Sequence, residues 1–160
     1  KASPQIQTCE MIISIDVEDE RWRALSNVEE LVGRAISAAL PDDKRSIDVL
    51  LTSDAEIQIL NAEWRSINKA TNVLSFPSPK IPVPEGEVAH LGDLVLAWET
   101  VAQEADLAAK ALADHVTHLV VHGTLHLLGF DHADDAEADE MEAKEKRILA
   151  GLGLADPYTT

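Results

Sequence analysis

The fold is decided by an apolar helix whose last turns and C-terminal flank read His122-Gly-Thr-Leu-His126-Leu-Leu-Gly129-Phe-Asp131-His132. His122 and His126 are four residues apart, so a helix places both on one face, with Cβ atoms about 5–6 Å apart. Gly129 permits the left-handed backbone that ends a helix, and the reversed chain can bring His132 back to the same point. Three neutral imidazoles without a thiolate are typical of a catalytic zinc site, which keeps a fourth position open. The segment therefore predicts one zinc ion held by these three histidines.

Apolar neighbours indicate that this helix is buried. Two histidines at helical spacing are commonly ordinary surface residues, but these are flanked by Leu119, Val120, Val121, Leu125, Leu127 and Leu128. Unpartnered imidazoles on such a helix would be costly, which favours metal binding. His118 and His115 lie on the same face, one and two turns earlier. Either could compete as a ligand, but we expect them to pack or to partner the second nitrogen of a ligand.

Length and composition predict a single domain over residues 1–160. The chain is long enough to bury a core, and its 46% hydrophobic and 4% aromatic content describes an aliphatic-rich globular protein. No apolar run approaches the roughly 18–20 residues that cross a membrane, and the N-terminal residues lack the apolar segment of a signal peptide. The single Cys9 excludes an internal disulfide and fits a reducing compartment. We therefore expect a cytoplasmic protein with no membrane partner.

The charge is strongly negative and unevenly distributed. With 13 basic and 29 acidic residues, the net charge of −16 argues against a general nucleic-acid binder, whose affinity comes largely from neutralising phosphates. Residues 131–145 hold eight acids and one base, whereas residues 64–84 hold no acid but include Arg65, Lys69 and Lys80. These cations could be ordinary solubilising residues or a local strip that binds one anionic segment.

Strands and helices alternate along the chain. Strands are predicted at 11–17, 47–51, 72–76 and 91–97. Capping-box patterns at Ser26–Glu29 and Ser53–Glu56 predict two helix starts. Further helices are predicted from about residue 99, over 112–128 and over 134–150, the last as a mostly solvated acidic helix. The expected fold class is α+β (mixed α/β), with a small central sheet flanked by helices and the metal site on a buried helix.

One position separates this site from the metzincin proteases. The spacing matches their His-Glu-x-x-His-x-x-Gly-x-x-His pattern at the histidines and the glycine, but Gly123 stands where they carry the catalytic Glu. Peptide hydrolysis needs a base for water and an acid for the leaving amine, so the missing carboxylate argues against a metalloprotease or amidase. A glycine within a helix also costs roughly 1 kcal/mol against alanine, which indicates that something packs closely there.

A phosphodiester substrate fits the residues better. A metal and a cation together can hold the developing charge without a carboxylate base. Arg65 is the obvious cation, because its planar fork matches phosphate oxygens. On the sequence alone, a surface charge at a helix end is an equally good account of Arg65.

Three sequence blocks, taken together and in this order, resemble the bacterial YbeY family. They are Asn61-Ala-Glu-Trp-Arg65-Ser-Ile-Asn-Lys69-Ala-Thr71-Asn72-Val-Leu-Ser75-Phe76-Pro77, Gly92-Asp93-Leu-Val-Leu and the His122–His132 segment. The similarity runs from about residue 47 to residue 150. Ala70 stands where proline often follows the lysine in the family, a change that we expect to alter loop stiffness more than chemistry.

The resemblance implies a metal-dependent endoribonuclease, a hydrolase of phosphodiester bonds. It implies a single-strand-specific enzyme of small-subunit (16S) rRNA 3′-end maturation and ribosome quality control, with zinc on His122, His126 and His132. Arg65 then corresponds to the functional arginine beside the metal, Lys69 is a second candidate for binding phosphate, and Asp131 or His118 could shuttle protons or orient a ligand. Implied partners are ribosomal RNA, the small subunit and assembly factors such as an Era-type GTPase. A non-catalytic assembly factor with a structural metal stays an alternative.

Overall fold

A computed structural model describes residues 5–7, 12–41, 43–79, 81–130 and 134–157, with the backbone alone for residues 5–7. Within these ranges the strands are β1 Gln5–Gln7, β2 Ile12–Val17, β3 Ser46–Thr52, β4 Val73–Pro77 and β5 His90–Ala97. The helices are α1 Val28–Ala39, α2 Asp54–Arg65, α3 Trp98–Leu107, α4 Leu112–Leu127 and α5 Asp135–Gly151, with a 3₁₀ helix at Glu20–Ala24. In these ranges no helix combines the length and apolarity that a membrane crossing requires.

The strands form one mixed sheet in the order β1-β2-β3-β5-β4. β2, β3 and β5 run parallel, while β1 and β4 pair antiparallel at the two edges. β5 therefore lies between two strands that precede it in the chain. The predicted α+β class, with a small sheet flanked by helices, is confirmed.

The main core lies on one face of the sheet. Side chains alternate along each strand, and this face contributes the buried residues Ile13, Ile15, Ile47, Val49, Leu51, Leu94 and Leu96. They form one cluster with buried side chains of α1 and α4, among them Val32, Ile36, Val120 and Leu125. This burial holds α4 firmly against the sheet and orients its histidines.

The opposite face carries a smaller core beneath α2. Its buried members are Ile57, Leu74, Val95 and Ala97, and they form a cluster separate from the main core. The Ser53 hydroxyl caps α2 by accepting from the backbone N–H of Glu56 at 3.3 Å, as the capping-box pattern predicted.

The capping box predicted at Ser26–Glu29 is wrong. α1 is capped instead at Asn27, whose backbone is left-handed with φ of 52° and whose side chain makes no capping hydrogen bond within the described part of the chain. The Asn27 carbonyl accepts from Leu31 at 3.0 Å, so the first turn closes through the main chain alone. Asparagine tolerates the left-handed region better than most residues, which lets the turn override the local pattern.

Candidate metal centre

The candidate metal centre lies on α4, where the helix packs against the edge strand β4. A Cβ on Gly123 would lie 2.9 Å from Leu94 Cδ2 and 3.2 Å from Ser75 Oγ, so the close packing predicted for this glycine is confirmed. The Ser75 hydroxyl also donates to the Gly123 carbonyl at 2.9 Å. At the end of the helix Gly129 has φ of 101°, and its N–H donates to the carbonyl of His126 at 3.0 Å. The predicted helix stop is therefore present.

His122 and His126 direct one nitrogen each towards a common point. His122 Nε2 and His126 Nε2 are 3.1 Å apart, with the rings inclined at 75°. Two nitrogens bound to one tetrahedral zinc ion at about 2.0–2.1 Å lie roughly 3.3 Å from each other. The observed separation therefore fits two ligands of a single metal ion.

The carboxylate of Glu145 sets the orientation of His122. Glu145 comes from α5, is 0% exposed and accepts a hydrogen bond from His122 Nδ1. Because the carboxylate is an acceptor, neutral His122 carries its proton on Nδ1 and presents the lone pair of Nε2 towards His126. A carboxylate that fixes a ligand imidazole in this way is a common feature of metal sites.

Glu145 also serves His118. His118 Nε2 lies 3.2 Å from the second carboxylate oxygen, so both oxygens of this buried group contact imidazoles. His118, His122 and Glu145 offer ligand atoms within 4.8 Å of one another and could themselves hold a metal. We favour the role of hydrogen-bond acceptor for Glu145, because it satisfies a buried charge that would otherwise be costly.

The interpretation of the α5 acids as a solvated face fails at Glu145. The helix has buried residues at Met141, Glu145 and Leu149, spaced four apart on one face. An acid in the middle of an apolar stripe is the sequence signal that could have identified this residue. His115, the other histidine whose role was open, has its Nε2 3.0 Å from Glu104 Oε1 of α3.

Arg65 is brought to the same cleft from the other side of the sheet. It is the last residue of α2, and its guanidinium donates to the carbonyl of Ser75 and lies 5.5 Å from the centre of the Phe76 ring. A cleft of about 640 Å³ is lined by Arg65 together with His118, His122 and His126. The predicted cation and the histidine pair therefore line the same cleft.

Other predicted site residues lie elsewhere or outside the description. Lys69 is exposed and is not among the described residues that line the cleft, although its carbonyl accepts from the Asn61 amide at 2.9 Å. His132, Asp131 and Lys80 lie outside the described residues.

Comparison with known proteins identifies the family. The family model described as Endoribonuclease YbeY matches residues 13–153. The Endoribonuclease YbeY of Azorhizobium caulinodans is 52% identical over 155 residues, covering 92% of this chain and 96% of that protein. The protein of the same name from Paramagnetospirillum magneticum is 47% identical and covers 91% and 94%. The chain belongs to the YbeY family of endoribonucleases.

The match to the YbeY family model covers almost the whole chain, well beyond the three sequence blocks that carried the resemblance. The fold is also similar to the solution structure of TM1509 from Thermotoga maritima, with a TM-score of 0.50, 22% identity and coverage of 92% of this chain and 99% of that one. α1 and nearly all of β2, which precede the stretch that carried the resemblance, also lie within the matched range of the YbeY model. A cluster of histidine and carboxylate groups able to bind metal agrees with a metal-dependent nuclease.

Proposed function

We propose that this chain is a single-strand-specific, zinc-dependent endoribonuclease of small-subunit (16S) rRNA 3′-end maturation and ribosome quality control. The observation that carries the proposal is the convergence of His122 Nε2 and His126 Nε2, 3.1 Å apart, in a cleft that Arg65 also lines. Membership in a family named for endoribonuclease activity supports the reaction class.

His122, His126 and His132 are the proposed ligands of one zinc ion. The donor set suits zinc, since three imidazole ligands leave the fourth tetrahedral position open for water or substrate. When bound, the ion would polarise a phosphoryl oxygen and lower the pKa of its water to about 7. Glu145 keeps the proton of His122 on Nδ1 and so keeps Nε2 available as a ligand.

Arg65 is the proposed phosphate-binding residue. One of its five N–H donors is engaged by the Ser75 carbonyl, and the Phe76 ring supports the guanidinium. The guanidinium is thus held in position, and its other donors can bind two phosphate oxygens of the substrate. Lys69 is proposed as a weaker, longer-range contact to the substrate. Gly123 leaves the position of the protease base without a carboxylate, which favours the nuclease over an amidase.

The first test is the loss of metal and RNA cleavage together. The His126→Ala protein should bind no stoichiometric zinc in elemental analysis and should not cleave a single-stranded RNA. The wild-type protein should cleave that RNA while leaving casein intact, and a chelator should stop the reaction. RNA cleavage by metal-free His126→Ala protein would refute the mechanism, because the reaction would then not need the metal.

The second test separates phosphate binding from metal binding. The Arg65→Glu protein should retain zinc and lose RNA cleavage. The Arg147→Glu protein is the matched control, since Arg147 makes the same change in net charge from an exposed position on α5. Full activity in the Arg65→Glu protein would exclude the phosphate role.

The proposed substrate also implies partners and location. We propose that residues 1–160 act as one endoribonuclease domain in the cytoplasm, on ribosomal RNA carried by the small subunit. An Era-type GTPase is the proposed assembly partner. Co-sedimentation of the chain with immature small subunits, in gradients of cell extract, would test this association.

A further inference from the structure

A second cavity lies on the face of the sheet opposite α4. It measures about 840 Å³, within the range of small-molecule sites, and opens where α2 leaves the sheet uncovered. Strand register sets its floor, because Ser14, Asp48, Asp93 and Phe76 are paired in a row across β2, β3, β5 and β4. We call this cavity the sheet groove.

The side of the sheet groove carries an exposed tryptophan. Trp64, in the last turn of α2, lines the groove and is 68% exposed. Of the other two tryptophans, Trp22 is fully buried and meets the half-buried Trp98 edge-on at 5.4 Å. A large aromatic side chain left in solvent beside a cavity offers a flat surface for a partner.

The sheet groove and the metal cleft meet at Arg65. Arg65 and Pro77 line both cavities, and Trp64 is the residue before Arg65. A nucleotide whose phosphate lies against the Arg65 guanidinium therefore has its own sugar and base within reach of the groove.

Charge decides which part of a nucleotide the groove accepts. Asp16, Asp48 and Asp93 line it, so a phosphate would be repelled from its floor. Carboxylates accept hydrogen bonds from the amino groups of bases, and the remaining lining includes the apolar side chains of Leu60 and Phe76. This combination suits an uncharged, flat group with hydrogen-bond donors on its edge.

We propose that Trp64 stacks on the base of the nucleotide whose phosphate Arg65 binds, and that the sheet groove holds that base. This inference rests on the proposed function and adds a base-binding subsite to it. Stacking of one base on one aromatic side chain contributes about a 5- to 150-fold gain in affinity. The subsite tolerates different bases, because every base has a flat face, and it excludes a paired duplex, whose bases are already stacked.

The test uses tryptophan fluorescence of the zinc-loaded full chain. The probes are a tetramer of 2′-O-methylcytidine, which cannot be cleaved through its 2′ oxygen, and an abasic ribose-phosphate tetramer of the same length. The cytidine tetramer should quench the Trp64 emission and bind about 5- to 150-fold more tightly than the abasic one. The Trp64→Ala protein should lose this preference, whereas Trp64→Phe should keep the tighter binding without the quenching.

Two controls keep the outcomes distinct. Ile59→Ala removes another exposed apolar side chain of α2, 56% exposed and outside the groove lining, and should change neither affinity nor quenching. In cleavage assays Trp64→Ala should raise KM about 5- to 150-fold with kcat within about twofold. Equal affinity for the two tetramers, alongside normal Arg65-dependent cleavage by the wild type, would refute base stacking but not the proposed function. The groove would then be a site for a protein partner. Absence of wild-type cleavage would overturn the proposed function, while the binding comparison would still decide the subsite.

Discussion

Replacement of Glu145 by glutamine should weaken zinc binding without disturbing the fold. The glutamine side chain matches glutamate in size, so the buried site on α5 stays filled. The two imidazoles contact different oxygens of the carboxylate, so in glutamine an NH2 group, which cannot accept, faces either His122 or His118. A neutral amide is also the weaker acceptor. Loss of such a partner lowers metal affinity by about 10- to 100-fold, or roughly 1.4–2.7 kcal/mol.

Thermal unfolding with and without zinc measures this effect. At saturating zinc, the stabilisation by metal should fall by about 1.4–2.7 kcal/mol, so the zinc-induced rise in Tm should be roughly 3–11 °C smaller. Without metal, the variant should melt close to the wild type, because replacing a buried carboxylate removes its desolvation penalty along with its hydrogen bonds. A competitive titration against a coloured chelator should give the loss of affinity directly.

Glu140→Gln is the matched control, since it removes the same charge from an exposed position of the same helix. The control should bind zinc as the wild type does. The reasoning would be refuted if Glu145→Gln and Glu140→Gln gave the same zinc affinity and the same zinc-dependent Tm.

Three further predictions concern stability. Gly123→Ala should destabilise the protein by up to about 2 kcal/mol in urea unfolding, because overpacking of buried Leu94 outweighs a helix-propensity gain of about 1 kcal/mol; a more stable variant would contradict this. Ser53→Ala should lower the free energy of unfolding by about 0.5–2 kcal/mol through loss of the α2 cap, and an unchanged urea midpoint would count against the cap. The Arg45 hydrogen bonds hold the pKa of Asp43 below the ordinary 3.8. A carboxyl whose pKa is lowered in the folded state stabilises the fold at higher pH, and this stabilisation is lost as the pH falls through the folded-state pKa. Asp43→Asn should therefore lower the free energy of unfolding by under about 1 kcal/mol at pH 7 and leave it unchanged well below pH 3.8. If the melting curves of the wild type and Asp43→Asn are equally separated at both pH values, the ion pair is not the cause of the difference in stability.

Local sequence patterns predicted most elements of the fold but not how they pair. The apolar spacing of α4 and the β-branched runs of β2 and β3 are periodic signals read within one segment. The insertion of β5 between β3 and β4 depends on contacts between distant parts of the chain, which periodicity does not contain. At Asn27 even a local signal failed, since a left-handed turn displaced the capping box expected one residue earlier.

The candidate site was predictable where its residues share one helix. His122 and His126 are neighbours on α4, so their spacing alone brought them together. Arg65 lies far from the histidines in the sequence, and the fold brings it to the cleft. Before the structure, only the chemistry of its guanidinium and the family resemblance indicated a role in the site. Glu145 was missed because it ends a run in which seven other acids precede it, and its burial depends on the packing of α5 against α4.

The histidines and Arg65 depend on different apolar clusters, so the two halves of the site have separate stabilities. The histidines depend on the main core, whereas Arg65 depends on the small cluster under α2, and the two clusters lie on opposite faces of the sheet. Segments held by fewer buried contacts open locally at lower free energy than the whole domain. We therefore expect the backbone amides of α2 to exchange with deuterium faster than those of α4. Each such opening would withdraw the guanidinium while the histidine pair stays assembled, so the enzyme would pass through a metal-loaded state that cannot hold its substrate.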